Sequence, residues 1–315
     1  MKKLAILVGL ACGIMFFVGA TESDDSHPRV GDIYRVEKNT YVPIFSSPET
    51  EFEYESSSYG SGCYDLETVL LPEFYVQIKK IFNNGVLEIV GTTNNSYLVH
   101  GYVHPKFVGE SMAICGTKDF SSLRAKVTIP TVKSIMGDLK EISSKNGRYC
   151  QGGNAPVEIK LNDLYKFHQR SGSIGKEKKY ICQGFDSSGL VHYLSNGYLP
   201  HDTATFLKFV SKLYQVSTER PLSRRMTKEI VSNLKDTDLV FFCLKDRNRK
   251  DSRGHVIMAY RFGFIESKGL NFGIVITPPH EAEARFTQMY EKAKSLGADL
   301  YVVRWHPELL EASNE

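Results

Sequence analysis

Apolar and polar positions alternate with a period near two along the first third of the chain, and recur with a period near 3.6 in several later stretches. Residues 41–45 form a short β-like run that stops at Ser46-Ser47-Pro48. Residues 74–81 alternate apolar and polar side chains, Asn83-Asn84-Gly85 follows as a turn signal, and Val86-Leu87-Glu88-Ile89-Val90 resumes the alternation. Two such runs around a tight turn predict a hairpin. Another strand is expected over 97–103, whereas 54–62, rich in Ser, Gly and Tyr, reads as loop. Short strands joined by turns between residues 30 and 108 predict a small β-barrel, and 109–130 reads as a linker ending in Thr128-Ile129-Pro130.

The period then changes. Val132, Ile135, Met136, Leu139 and Ile142 share one face of a helix that Gly147 closes. Further helices are expected near 161–167, over 188–194 with a stop at Asn196-Gly197, and over 203–214. Strands are expected over 239–244, 255–265 and 272–277, then a long helix over 281–296 and a last strand over 300–305. Helices followed by strands predict an α+β domain spanning 131–315.

The N-terminus changes the picture of where the chain works. Lys2 and Lys3 precede an apolar run over 4–18, then Val18-Gly19-Ala20 and an acidic stretch. This pattern reads as a secretory signal over 1–20, shorter than the roughly 20 apolar residues of a membrane span. Export to the periplasm, cell envelope or exterior is the expectation. Leu10-Ala11-Cys12 half-matches a lipid-attachment motif and keeps a lipoprotein as the alternative. Beyond the signal lie Cys63, Cys115, Cys150, Cys182 and Cys243. An oxidising compartment permits disulfides, and Cys150–Cys182 and Cys63–Cys115 are the candidate bridges by separation; the odd count leaves one thiol free or paired between chains. The 315 residues suffice for two domains of ordinary size. A net charge of +3 without a basic stripe argues against nucleic acid. His192, His201, His280 and His306 have no metal-ligand spacing, so no metal and no cofactor are expected, and a monomer is.

The chemistry concentrates in Gly184-Phe185-Asp186-Ser187-Ser188-Gly189-Leu190-Val191, followed by Leu199-Pro200-His201-Asp202-Thr203. This resembles the signature of the NlpC family of papain-like cell-wall peptidases, in which Gly-Phe-Asp-Cys-Ser-Gly-Leu-Val precedes Leu-Pro, an Arg-type residue and Ser or Thr. A nucleophile at a helix N-terminus gains from the helix dipole and from free N–H groups that can hold an oxyanion. Tyr149-Cys150-Gln151-Gly152-Gly153 resembles the family's upstream Tyr-x-Trp-Gly-Gly element. Asp238-Leu239-Val240-Phe241-Phe242, then Gly254-His255-Val256 and Tyr260, resemble its two later strands. Upstream, the strand order with Val42–Pro48 and Gly101-Tyr102-Val103 resembles a bacterial SH3-like domain.

The resemblance implies a papain-like NlpC-type domain behind an SH3-like barrel. It implies Ser187 as nucleophile, His255 as general base and Glu266 as the residue orienting it. Tyr149, Asp186 and Ser188 would bind the free amine of a peptidoglycan stem peptide; helix capping is the structural alternative for Asp186 and Ser188. Four departures stand out. Ser187 replaces the catalytic Cys, Gln151 replaces an aromatic, Glu266 stands where His, Asn or Gln is usual, and 155–180 is inserted, as a lid or a tolerated loop. The expectation is therefore a hydrolase acting between D-glutamate and a diamino acid of peptidoglycan, with an inactive binder of murein peptides as the alternative.

Overall fold

The computed structural model describes residues 27–57, 60–63, 65–92, 98–115, 119–123, 128–144, 147–161, 164–169, 181–243 and 254–311. The expected signal segment, Cys12 and the basic stretch Gly175–Lys179 lie outside the described residues. In chain order the strands and helices begin with β1 (Ile33–Val36), β2 (Val42–Phe45), β3 (Glu51–Ser57), β4 (Gly60–Cys63), β5 (Leu66–Leu70), β6 (Tyr75–Ile81), β7 (Leu87–Thr92) and β8 (Leu98–Val103). Then come α1 (Lys106–Ser111), β9 (Met112–Ile114), α2 (Val132–Ser144), β10 (Tyr149–Gln151), β11 (Asn154–Lys160), β12 (Lys166–Gln169), β13 (Ile181–Phe185) and α3 (Ser187–Leu194). The remainder is β14 (Ser211–Val216), α4 (Arg224–Asn233), β15 (Leu239–Phe242), β16 (His255–Tyr260), β17 (Gly263–Ser267), β18 (Ile274–Thr277), α5 (Ala282–Ser295), β19 (Leu300–Arg304) and α6 (Pro307–Glu311).

These strands form three sheets. The first is antiparallel throughout, in the order β5-β2-β8-β7-β6-β1-β9. The β6–β7 hairpin appears at Asn83-Asn84-Gly85 as its sequence requires, closed by Phe82 N–H to the Val86 carbonyl at 2.9 Å. Among the described residues no pairing joins β5 to β9, so the expected barrel is observed as an open seven-stranded sheet. Part of the expected linker is structured: β9 pairs with β1, and α1 precedes it.

The second sheet, β11-β13-β10-β4-β3-β12, joins the two sequence regions. Strand β4 runs parallel to β10, and β3 parallel to β12. The stretch 54–62, read as loop, therefore supplies ladder partners. The helix expected near 161–167 is replaced by β12. Lys166 N–H donates to the Thr50 carbonyl at 2.8 Å, and the Tyr165 ring packs against Phe45 at 4.5 Å, beside the stacked Phe45–Phe52 pair. Tertiary pairing outweighs a short run's helical pattern.

The third sheet, β14-β19-β15-β16-β17-β18, is antiparallel and covered on both faces. Ile135 and Leu139 of α2 and Leu190, Val191 and Leu194 of α3 pack with Leu239, Phe241, Val256, Met258 and Ile265 on one face. Ile230 of α4 and Phe286, Met289 and Tyr290 of α5 pack with Val240, Phe242, Ile257 and Phe264 on the other. This is the strict alternation of a sheet with two buried faces. Each fully buried side chain of this size contributes about 1.5–3 kcal/mol.

Two expected elements change here. The helix over 203–214 is a short 3₁₀ turn, Thr203–Lys208, capped by Asp202, followed by β14. The single strand over 255–265 is a hairpin turned at Arg261-Phe262, both at positive φ (49° and 64°). Helix α4, capped by Ser223, was not expected. Asp238 is fully buried and accepts two bonds from the Arg304 guanidinium, at 2.8 and 2.6 Å, which ties β15 to β19. Its role is structural.

Candidate functional site

Helix α3 starts at Ser187 because Asp186 caps it. The Asp186 backbone is extended (φ −83°, ψ −177°), and its Oδ1 accepts the Gly189 N–H at 2.7 Å and the Ser188 hydroxyl at 3.1 Å. Carboxylates are favoured there because they satisfy orphan N–H groups and face the positive end of the helix dipole. The same Oδ1 lies 2.9 Å from His201 Nε2, and Oδ2 accepts the Gly152 N–H at 3.1 Å. Burial pushes the Asp186 carboxyl up, but His201 and the Gly189 and Ser188 bonds more than reverse this, holding it below its ordinary value.

His201 is itself held at both nitrogens, with Nδ1 2.7 Å from the Thr68 hydroxyl of β5. It stacks on His192, ring centroids 5.8 Å apart. His192 is buried, and desolvation with His201 beside it lowers its pKa to about 3, so it stays neutral; its Nδ1–H donates to the Leu199 carbonyl at 2.6 Å. Asn154, also buried, bonds both the N–H and the carbonyl of Val69 at 2.9 and 2.8 Å. The first sheet thus supplies β5 as one wall of the network around Asp186.

The glycines of the two motifs permit this closeness. Gly152 has φ +69°, and a Cβ there would sit 1.9 Å from the Leu66 carbonyl oxygen. A Cβ on Gly189 would sit 2.0 Å from the Gly153 carbonyl oxygen and 2.9 Å from His201 Nε2. Asp186 N–H donates to that Gly153 carbonyl at 2.9 Å, and Tyr149 pairs with Phe185 across β10 and β13. Ser188 is thus bonded to Asp186, and Tyr149 is paired through its backbone with Phe185, the residue before Asp186.

His255 and Glu266 also meet. His255 Nε2 lies 2.7 Å from Glu266 Oε2. Arg285 of α5 clamps the same carboxylate, Nε to Oε1 at 2.6 Å and Nη2 to Oε2 at 2.6 Å. Burial alone would raise the Glu266 pKa; the bonds from His255 and Arg285 outweigh it and hold the value down at about 2. With its side chain 1% exposed, this carboxylate is an ionised buried group satisfied by two neighbours.

Helix α3, which begins at Ser187, and this relay lie on different faces of the third sheet. His255 lies directly opposite Phe242, and Glu266 shares the parity of Phe264 two residues before it on β17; Phe242 and Phe264 both belong to the α5 face. Helix α3 packs on the other face, with Val256, Met258 and Ile265. The neighbouring Ser267 does point that way: its hydroxyl donates to the Phe185 carbonyl at 2.5 Å. Among the described residues no hydrogen bond joins Ser187 to His255, whose Nδ1 has no partner there. The structure assembles His255–Glu266 and Asp186–Ser188 but does not join the two groups.

Sequence reasoning missed His201, Thr68, Asn154 and Arg285. His201 stands within the Leu-Pro motif, which was its signal; Arg285 lies 19 residues beyond Glu266 on another element and gives none. Within the inserted segment β11 pairs with β13 and β12 with β3, while 170–180 lies outside the described residues. Cys63 lies on β4 of the second sheet and Cys115 just beyond β9 of the first, so the Cys63–Cys115 bridge expected from separation is not formed. Among the described residues no cluster of three or more His, Cys, Asp or Glu could hold a metal ion. A cavity of about 250 Å³ opens beside α4, lined by Val231, Leu234, Phe262 and Phe264 among others, and touches none of these groups.

No family model and no curated protein matches the chain. Solved structures do, NlpC proteins among them. NlpC2 from Trichomonas vaginalis is 13% identical over 79% of this chain and 76% of that one, with a TM-score of 0.25. The chain is similar to NlpC proteins. NlpC1 from Trichomonas vaginalis is likewise 13% identical, over 87% of this chain and 76% of that one, with a TM-score of 0.26.

Proposed function

We propose that this protein is a peptide-binding member of the NlpC type, exported to the cell envelope, that holds cell-wall stem peptides beside the N-terminus of α3 without rapid turnover. The observation that carries this reading is the placement of helix α3, which begins at Ser187, and His255 on opposite faces of the third sheet. A cysteine retains a thiolate population without its base, but a serine hydroxyl needs proton removal as it attacks. Without a base in reach, the loss is on the order of 10⁶-fold. Peptide binding needs less. Ser188 stays bonded to Asp186, Tyr149 pairs with the neighbouring Phe185, and Asp186 Oδ2, whose bonded donor among the described residues is the Gly152 N–H, retains a lone pair for an incoming amine.

A second reading has its own support. The complete His255–Glu266–Arg285 relay is the kind of arrangement a serine nucleophile uses, with an ionised carboxylate orienting the imidazole and stabilising its cation. If the His255 ring turns to the α3 side, Ser187 attacks, and the bond between D-glutamate and the diamino acid breaks. Product release and calorimetric binding of defined muropeptides, for the natural protein, Ser187→Ala and Ser187→Cys, separate the two. Binding by all three without product from the natural protein is the expected result. Product from the natural protein that disappears in Ser187→Ala establishes the serine peptidase instead, and absence of binding by all three rejects both.

A further inference from the structure

Beneath the Tyr149–Gly153 segment lie three buried thiols that the site does not use. Cys150 and Cys182 are each 1% exposed and Cys63 is 2% exposed, all in one apolar cluster. The Cys150 and Cys182 sulfurs are 3.4 Å apart, on the neighbouring strands β10 and β13. Cys115 lies apart from this cluster and hydrogen-bonds the Ala113 carbonyl.

We infer that Cys150 and Cys182 are a disulfide-forming pair that locks β10 to β13 beneath the α3 N-terminus, with Cys63 as an excluded third thiol. The bond forms by exchange with a low-molecular-weight or protein disulfide while the chain folds, because both sulfurs are covered in the finished structure. One cysteine, as thiolate, attacks a sulfur of the external disulfide and expels one thiol, which carries the proton. The second cysteine attacks the mixed disulfide and expels the other. The protein loses two hydrogens, and the external disulfide is reduced to two thiols. Cys63 does not reshuffle the product: desolvation pushes its pKa up to about 12, which leaves negligible thiolate.

The bond acts on the site through one residue. Gly153 N–H donates to the Cys150 carbonyl, and Asp186 N–H donates to the Gly153 carbonyl, each at 2.9 Å. Closing the Cys150–Cys182 link therefore fixes the backbone that positions the α3 cap. It also closes a 33-residue loop that contains the stretch 170–180.

The test uses the full chain, refolded from the reduced, denatured state in a reduced and oxidised glutathione buffer, then alkylated and digested without reductant. A single cross-linked peptide pair, 150 with 182, is expected, and dithiothreitol should then lower Tm by on the order of 10 °C. Cys63→Ser should keep both the link and the shift with reductant. The double variant Cys150→Ser/Cys182→Ser should melt near the reduced natural protein and ignore dithiothreitol. A link that includes Cys63, or alkylation of Cys150 and Cys182 in refolded protein, overturns the inference. So does a reductant shift that persists in the double variant.

Discussion

Two carboxylate–histidine pairs, one at the start of α3 and one on the α5 face of the third sheet, differ in what surrounds them. Asp186–His201, at 2.9 Å, is held by many donors: His201 is 5% exposed and bonded at both nitrogens, and Asp186 also receives Gly152, Ser188 and Gly189, with a lone pair on Oδ2 left over. Glu266–His255, at 2.7 Å, is closed only behind: Arg285 grips the carboxylate, while the His255 side chain is 24% exposed with Nδ1 unpaired among the described residues. A histidine locked at both nitrogens is a structural tie. One that is oriented on a single side keeps a nitrogen for chemistry, provided a nucleophile is within reach. The same pair of residue types thus makes a bracket at the start of α3 and an open-ended relay on the α5 face of the third sheet.

The sharpest way to break this contrast is to remove the far partner of each carboxylate. Arg285→Met leaves Glu266 buried with His255 alone and should cost about 4 kcal/mol in denaturant unfolding. His201→Ala should cost less, about 3 kcal/mol, because three donors on Gly152, Ser188 and Gly189 still serve Asp186. The reverse ranking would make the Asp186 network the more deeply charged of the two, against the geometry.

Acid titration of stability probes the same carboxylate. The Glu266 pKa is about 2 in the folded chain against 4.5 for the free group. Between those values the unfolded chain binds the extra proton, so stability falls as pH falls from about 4.5 towards 2. The full shift corresponds to roughly 3 kcal/mol, present above pH 4.5 and lost below 2. Glu266→Gln should flatten this limb, and Arg285→Met should shorten it by raising the folded-state value. Identical acid limbs in the natural protein and Glu266→Gln would show that another group carries the dependence.

The sequence made one of these pairs easier to read than the other. The motif at 184–191 contains its own cap, helix start and glycine spacing, all local, and α3 forms as read. His255 and Glu266 were also matched correctly as partners. Their facing was not legible, because it depends on parity against β15 and on the hairpin at Arg261-Phe262. That turn adopts positive φ at two residues that carry no Gly, Asn or Asp signal, so 255–265 read as one strand. Misplacing a turn by one residue moves every later side chain to the other face. The helices expected at 161–167 and 203–214 failed for a related reason: β3 and β19, distant in sequence, offered these stretches ladder partners.

The smallest expected effect tests whether the bracket extends into the first sheet. Thr68 lies on β5, and its hydroxyl sits 2.7 Å from His201 Nδ1, 133 positions away in sequence. Thr68→Val keeps the shape and removes the hydroxyl, leaving a buried ring nitrogen without its partner, which should cost about 1–2 kcal/mol. A double-mutant cycle isolates the interaction. In a His201→Ala background, Thr68→Val should be nearly neutral, because the nitrogen it served is gone. Among the described residues no second link of this kind supports His255, so Thr68→Val should leave the acid limb governed by Glu266 unmoved. If the two substitutions instead add, Thr68 and His201 are independent, and β5 touches the α3 cap without holding it.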